Sequence, residues 1–305
     1  YSLAIVISLF SLTYNAIFFG THNVTSIYRV CSVSNLAFFA VAIILILLGY
    51  GLLAIAIARL ISALIYLVHA KYEIKAFDML AHYKQHSKGV DSNVLKAVLP
   101  NAAKFGGVTL GNFLVSKASV LIVAAYLPLA QSGSYALALN IVSVIMSVSL
   151  LLMTIKTPQL NALRQEKNYY QLDKLQGKIR LLCMPTALLS LGGFVLLGNP
   201  LLSLIGANTE LPSTSILLVF VLLCILEVNR TISMNFIMTA NQVPFFKTVM
   251  ITAVSCVILT VFIFEMGVSL IIVPILVQLL AQSAFNNWYW TVQEFKERSR
   301  MLRSV

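Results

Sequence analysis

Four side chains in this chain carry charge where charge is expensive. Arg59, Lys117, Glu227 and Arg230 each lie near the middle of an apolar stretch of about 20 residues, the length a helix needs to cross hydrocarbon. A charged group at that depth costs about 2.5–3.5 kcal/mol on insertion scales, so such residues face a bundle interior or a water-filled cavity and mark binding or transport sites. Their distance from either end leaves the long Lys and Arg stems too short to bring the charge to the interface. Glu227 and Arg230 are three residues apart and share a helix face, so local neutralisation is one reading of them and a functional pair is the other. Arg59 and Lys117 have no acid within a helical turn, and a water-filled cavity is the environment expected for them. The mid-span set is three cations against one carboxylate. Low-dielectric walls focus such a field, so the imbalance favours an anion. A phosphate or an acidic sugar is the chemistry these cations would hold. Asn112 and Ser116 beside Lys117, and Asn229, Thr231 and Asn235 around Arg230, add hydrogen-bonding groups. The expected anion-binding set is Arg59, Lys117, Arg230, Glu227 and Asn112.

Other chemistries find little to work with. Cys31, Cys183, Cys224 and Cys256 lie in or beside apolar stretches without CxxC spacing, and they read as small core residues rather than metal ligands or disulfides. His82 and His86 are four apart in a Lys-rich connection with no Cys or acid at zinc spacing. No Ser/His/Asp constellation, phosphate loop or metal motif is present, so neither catalysis nor a metal or cofactor is expected.

The elements that must position these charges are membrane helices. Hydrophobic residues make up 59% of the 305 positions and charged residues 10%, against about 25% charged in soluble domains, so too few polar groups remain to cover a soluble surface. Periodicity and length predict an all-α polytopic transmembrane bundle of about nine spans, near 1–19, 32–49, 51–70, 105–127, 133–155, 181–205, 214–238, 247–264 and 269–290. Turn signals separate them: Gly49 and Gly51, Pro128 to Gly133, Gly206 to Pro212, and Gly267. The net charge of +11 does not point to nucleic acid, because of where the charge lies. Of the 21 Lys and Arg residues three are mid-span, and the other eighteen fall in connections on one alternating side; the opposite loops have none. The positive-inside rule makes the basic side cytoplasmic, which gives a multi-pass inner-membrane protein with a cytoplasmic C-terminus.

On this layout 1–70 holds three spans, 71–100 a basic cytoplasmic linker, 101–290 six spans, and 291–305 a basic cytoplasmic tail. Tyr1 begins inside a span on the outer side, with neither an initiator Met nor a signal peptide. Three further upstream spans would restore a cytoplasmic start and make twelve. Over 156–182 the residues Leu160, Leu163, Leu172, Leu175, Ile179 and Leu182 share a face among basic residues, so that connection is read either as a helix on the cytoplasmic membrane surface or as a loop helix packed on the bundle. Gly107 and Gly111 have the GxxxG spacing of a close helix contact. Trp288, Tyr289 and Trp290 read as interface anchors.

Several loose motifs resemble one family. Pro100 with Gly106 and Gly107 opens a span, and Ser116-Lys117-Ala118-Ser119 stands at its middle. Gly133-Ser134-Tyr135-Ala136-Leu137-Ala138 opens the next, and Pro158-Gln159-Leu160 follows it. Thr239-Ala240-Asn241-Gln242 closes a later span, while Gly49-Tyr50-Gly51-Leu52 through Arg59 marks an earlier junction. Together these resemble the polysaccharide-transporter branch, the O-antigen flippases, of the multidrug/oligosaccharidyl-lipid/polysaccharide exporter superfamily. That resemblance implies two six-helix lobes around a central cavity, of which this chain would hold the last three helices of the first lobe and all six of the second. Where many relatives carry an acid in the seventh span, this chain has Ser119 and Lys117. The implied function is alternating-access movement of undecaprenyl-pyrophosphate-linked O-antigen or another oligosaccharide to the outer leaflet. Arg59, Lys117 and Arg230 would hold the pyrophosphate or acidic sugar while the polyprenyl tail stays among membrane lipids. A polysaccharide polymerase and a chain-length regulator are the further partners it implies.

Two other classes compete. A multidrug or cation antiporter of the same superfamily would want a cluster of buried carboxylates, and Glu227 is the one mid-span acid. A membrane polysaccharide polymerase would show a large basic outer loop, and a glycosyltransferase a soluble nucleotide-sugar domain; the connections are too short for either.

Overall fold

In hydrocarbon a backbone amide or carbonyl finds no water, so an apolar chain closes its hydrogen bonds within helices. The computed structural model describes residues 2–20, 24–75, 92–204, 206–207 and 209–303, and every regular element among them is a helix. The protein is an all-α polytopic membrane bundle. The chain divides into two units, Tyr1–Val94 and Leu95–Val305.

The first unit contains α1 (Ser2–Gly20), α2 (Val24–Leu47) and α3 (Leu52–Lys75), each packed on the other two. Between α2 and α3 the chain reverses within a few residues, and Gly49 and Gly51 take φ of +86° and +52°, a region closed to most side chains. Apolar side chains gain nothing by leaving lipid for one another, so such helices associate where small residues let backbones approach. Ala4, Ala54, Ala58 and Ala63 are accordingly buried, and Ser34 and Ser62 each donate to the other's carbonyl, at 2.9 and 3.0 Å. Near one end of the unit, Glu73 joins α3 to α2 through Arg29 (3.2 Å) and Ser26 (2.9 Å).

The second unit runs α4 (Ser92–Tyr126, in this unit from Leu95 on), α5 (Leu129–Ser149), α6 (Leu151–Gln165), α7 (Tyr169–Leu204), α8 (Thr214–Met238), α9 (Phe246–Glu265) and α10, residues 272–303. Of the ten helices among the described residues, α2, α3, α4, α5, α7, α8 and α9 are the seven long and apolar enough to cross a membrane. Two helices contain a wide π turn, α4 at Leu114–Ala118 and α10 at Gln278–Ala284. The core gathers on α8, which packs against α5, α6, α7 and α10; Tyr135, Phe220, Leu172 and Ile179 are fully enclosed there. A smaller cluster of Val108, Phe245, Val249 and Trp290 joins α4, α9 and α10.

Several boundaries differ from the sequence expectation. Residues 71–75 of the expected linker continue α3, 92–100 open α4, and 76–91, with His82 and His86, lie outside the described residues. The segment 156–182 is not a separate surface helix. It completes α6, turns through Lys167 at φ 57°, and starts α7, with Leu160, Leu172 and Ile179 packed into the core. Trp290 is core rather than an interface anchor, 5% exposed and donating to Thr248 Oγ1 at 3.3 Å, whereas Trp288 is 65% exposed. The expected tail continues α10 as far as Arg303.

Candidate functional site

Arg59 stands on α3 and reaches a notch of about 230 Å³ within the first unit. Ser8, Ser11 and Asn15 of α1 and Ser34 and Asn35 of α2 share that notch. These hydroxyls and amides are partly engaged: Tyr66 donates to Asn15, and Ser11 donates back to the Ile7 carbonyl at 2.9 Å. Arg59 itself is exposed and makes no ion pair among the described residues, so the notch holds a lone cation with hydrogen-bonding neighbours.

Lys117 occupies the π turn of α4. On the same helix Gly107 and Gly111 carry the close contact their spacing predicted: a Cβ at Gly107 would stand 2.1 Å from Phe246, and one at Gly111 would stand 3.0 Å from Val249, both on α9. Lys117 is exposed and forms neither an ion pair nor a hydrogen bond among the described residues. Asn112 is exposed as well, and its carbonyl accepts from Ser116 Oγ at 2.8 Å.

Arg230 and Glu227 meet each other on α8 as a local ion pair. Glu227 also accepts from Ser283 Oγ of α10 at 2.5 Å. Arg230 is 5% exposed, and its Nε and Nη1 have no hydrogen-bond partner in the structure. A lone buried guanidinium would be far too costly; the Glu227 carboxylate is what lets it stay. Of the five residues expected from sequence, the structure therefore pairs Glu227 with Arg230, leaves Lys117 and Asn112 open on α4, and puts Arg59 in the other unit.

Two further polar networks were not anticipated. One joins three arginines to three acids at the basic end of the second unit. Arg164 of α6 pairs with Glu297 and donates to Thr239 Oγ1 at 2.7 Å. Arg180 of α7 pairs with the fully buried Glu294 and donates to Ser233 at 2.9 Å. Arg298 donates to Asp173 at 2.6 Å and lies 3.6 Å from Glu294, which also accepts from Gln176 at 2.9 Å. The alternation of acids and bases over 294–298 was the available signal; a loop reading treats it as solvated. The other network is buried around Gln278, whose amide reaches the Val115 carbonyl at 3.1 Å and Tyr135 Oη at 3.4 Å. Its signal was an amide side chain directly after the apolar run 270–277.

At the opposite end of this unit an open bowl of about 950 Å³ lies among the starts of α5, α8 and α10. Gln131, Ser134, Thr209, Glu210, Ser213 and Ser269 supply its polar groups, and no Lys or Arg lines it. Compared with known proteins, the chain matches no family model, no curated protein and no solved structure.

Proposed function

We propose that this protein is a flippase that moves a polyprenyl-pyrophosphate-linked oligosaccharide, of the O-antigen type, across the inner membrane by alternating access. The observation that carries the reading is the pair of mid-span cations without an acid partner among the described residues, Arg59 and Lys117. A polyanionic headgroup repays the cost of holding such charges in an apolar bundle. Lys117 and Asn112 of the second unit would contact the diphosphate or an acidic sugar, Arg59 offers a cation of the same kind within the first unit, and the Glu227–Arg230 pair neutralises a charge within α8. The polyprenyl tail stays in lipid. The basic residues at the end of α10 and the start of α7 favour, by the positive-inside rule, a cytoplasmic position for that side. A polysaccharide polymerase and a chain-length regulator would act on the delivered oligosaccharide. The cation-antiporter alternative needs a carboxylate free to exchange, and Glu227 is engaged by Arg230 and Ser283.

The test is translocation by the complete gene product in vesicles loaded with a polyprenyl-diphosphate oligosaccharide, read as the rate at which the headgroup becomes accessible on the far side. Lys117→Ala removes a charge-assisted contact worth about 1.5–3 kcal/mol, so transport should slow roughly ten- to a hundredfold with protein levels unchanged. Wild-type transport in Lys117→Ala would overturn the reading.

A further inference from the structure

The two π turns of the second unit are in contact, and their contact bears on where Lys117 points. A π turn is rare and occurs mostly as a single turn inside an α-helix, frequently at a functional site. In α4 the turn Leu114–Ala118 has a polar inner side. The Val115 carbonyl accepts from Gln278 Nε2 at 3.1 Å, and the Ser116 carbonyl accepts from Ser119 Oγ at 3.0 Å. Ser119 in turn accepts from Tyr135 Oη at 3.1 Å, and Tyr135 Oη accepts from Gln278 at 3.4 Å. Gln278, Tyr135 and Ser119 are all buried. The void beside them, lined by Val115, Ser119, Thr260 and Gln278, is about 10 Å³, room for at most one water. Protein groups, not solvent, therefore satisfy the inner side of the turn, while Lys117 leaves from its exposed outer side.

We propose that Gln278, backed by Tyr135, is the positioning residue for Lys117: it holds the α4 π turn in place and so fixes the direction in which the ammonium group projects. Closing a π turn to α-helix turns one flank relative to the other by about 100°. Gln278 opens the π turn of α10, and Ser283, near the end of that same turn, donates to Glu227. One turn of α10 thus touches both the segment that carries Lys117 and the acid that holds Arg230. The geometric claim stands without transport; its functional value rests on Lys117 being a substrate contact, as proposed above.

The experiment labels the complete gene product in vesicles with a water-soluble amine-reactive ester, and quantifies each lysine by mass spectrometry. Gln278→Leu should lower labelling of Lys117 several-fold while Lys156 and Lys178 label as in wild type. Tyr135→Phe, which keeps the bond from Gln278 to Val115, should give a smaller drop. If Gln278→Leu does not accumulate, Tyr135→Phe and Ser119→Ala carry the test. Unchanged Lys117 labelling in every folded variant would overturn the positioning role. A drop in labelling together with wild-type transport in Lys117→Ala would keep the positioning role and remove the transport reading; the converse pattern would do the opposite.

Discussion

Lys117 and Arg230 are both cations set well inside apolar helices of one unit, and the structure treats them in opposite ways. Arg230 is 5% exposed and closed against Glu227, whose second oxygen is taken by Ser283. Lys117 is exposed, on a π turn, with no acid beside it among the described residues. Depth along the helix therefore does not decide the fate of a charge. A partner one turn away makes the first cation part of the packing, while the second, with none among the described residues, stays exposed.

That contrast can be broken most severely at Glu227. Glu227→Leu strands the buried guanidinium, and removing one member of such a pair costs about 3–5 kcal/mol. Thermal unfolding of the detergent-solubilised protein should show a large loss, mostly restored in the double variant Glu227→Leu/Arg230→Leu. A single variant as stable as wild type would mean that the pair is not what keeps Arg230 inside.

A middle-sized effect is expected where α4 is anchored. Gly107→Ala puts a Cβ 2.1 Å from the Phe246 ring, an overpacking of about 1–3 kcal/mol. Gly106→Ala meets nothing within 4 Å and serves as the control. The two midpoints compared in one assay show whether α4 is held through its glycine face. The smallest effect belongs to Lys117 itself. Lys117→Leu should leave stability within about 0.5 kcal/mol, because no partner is lost. A destabilisation as large as that of Glu227→Leu would erase the distinction between the two cations.

The spans were readable because length and apolarity are properties of a continuous stretch. The Glu227–Arg230 pairing was also within reach, since three residues on a helix are neighbours whatever the fold. The arginine–acid network was not: Arg164 and Glu297 are 133 residues apart, and Arg180 and Glu294 are 114 apart, so nothing local marks them as partners. Reading 156–182 as one connection hid the continuity of α7, because its basic residues resemble a solvated loop until their partners are seen. The π turns leave no trace in composition; Leu114 to Ala118 would pass for ordinary helix. The environment of Lys117 was therefore inferred from what it lacked, while the turn that aims it became visible with the structure.

The length of α7 has a mechanical consequence. Its 36 residues span roughly 54 Å, well beyond a hydrocarbon core of about 30 Å. The surplus forms a stiff stem, and Asp173, Gln176 and Arg180 on that stem are tied to the end of α10. Were α7 to tilt as one piece through Pro185, a tilt of roughly ten degrees would swing the tip of the stem by about 4 Å and carry the far end of α10 with it. The ties from Asp173, Gln176 and Arg180 are the route by which such a tilt would reach α10.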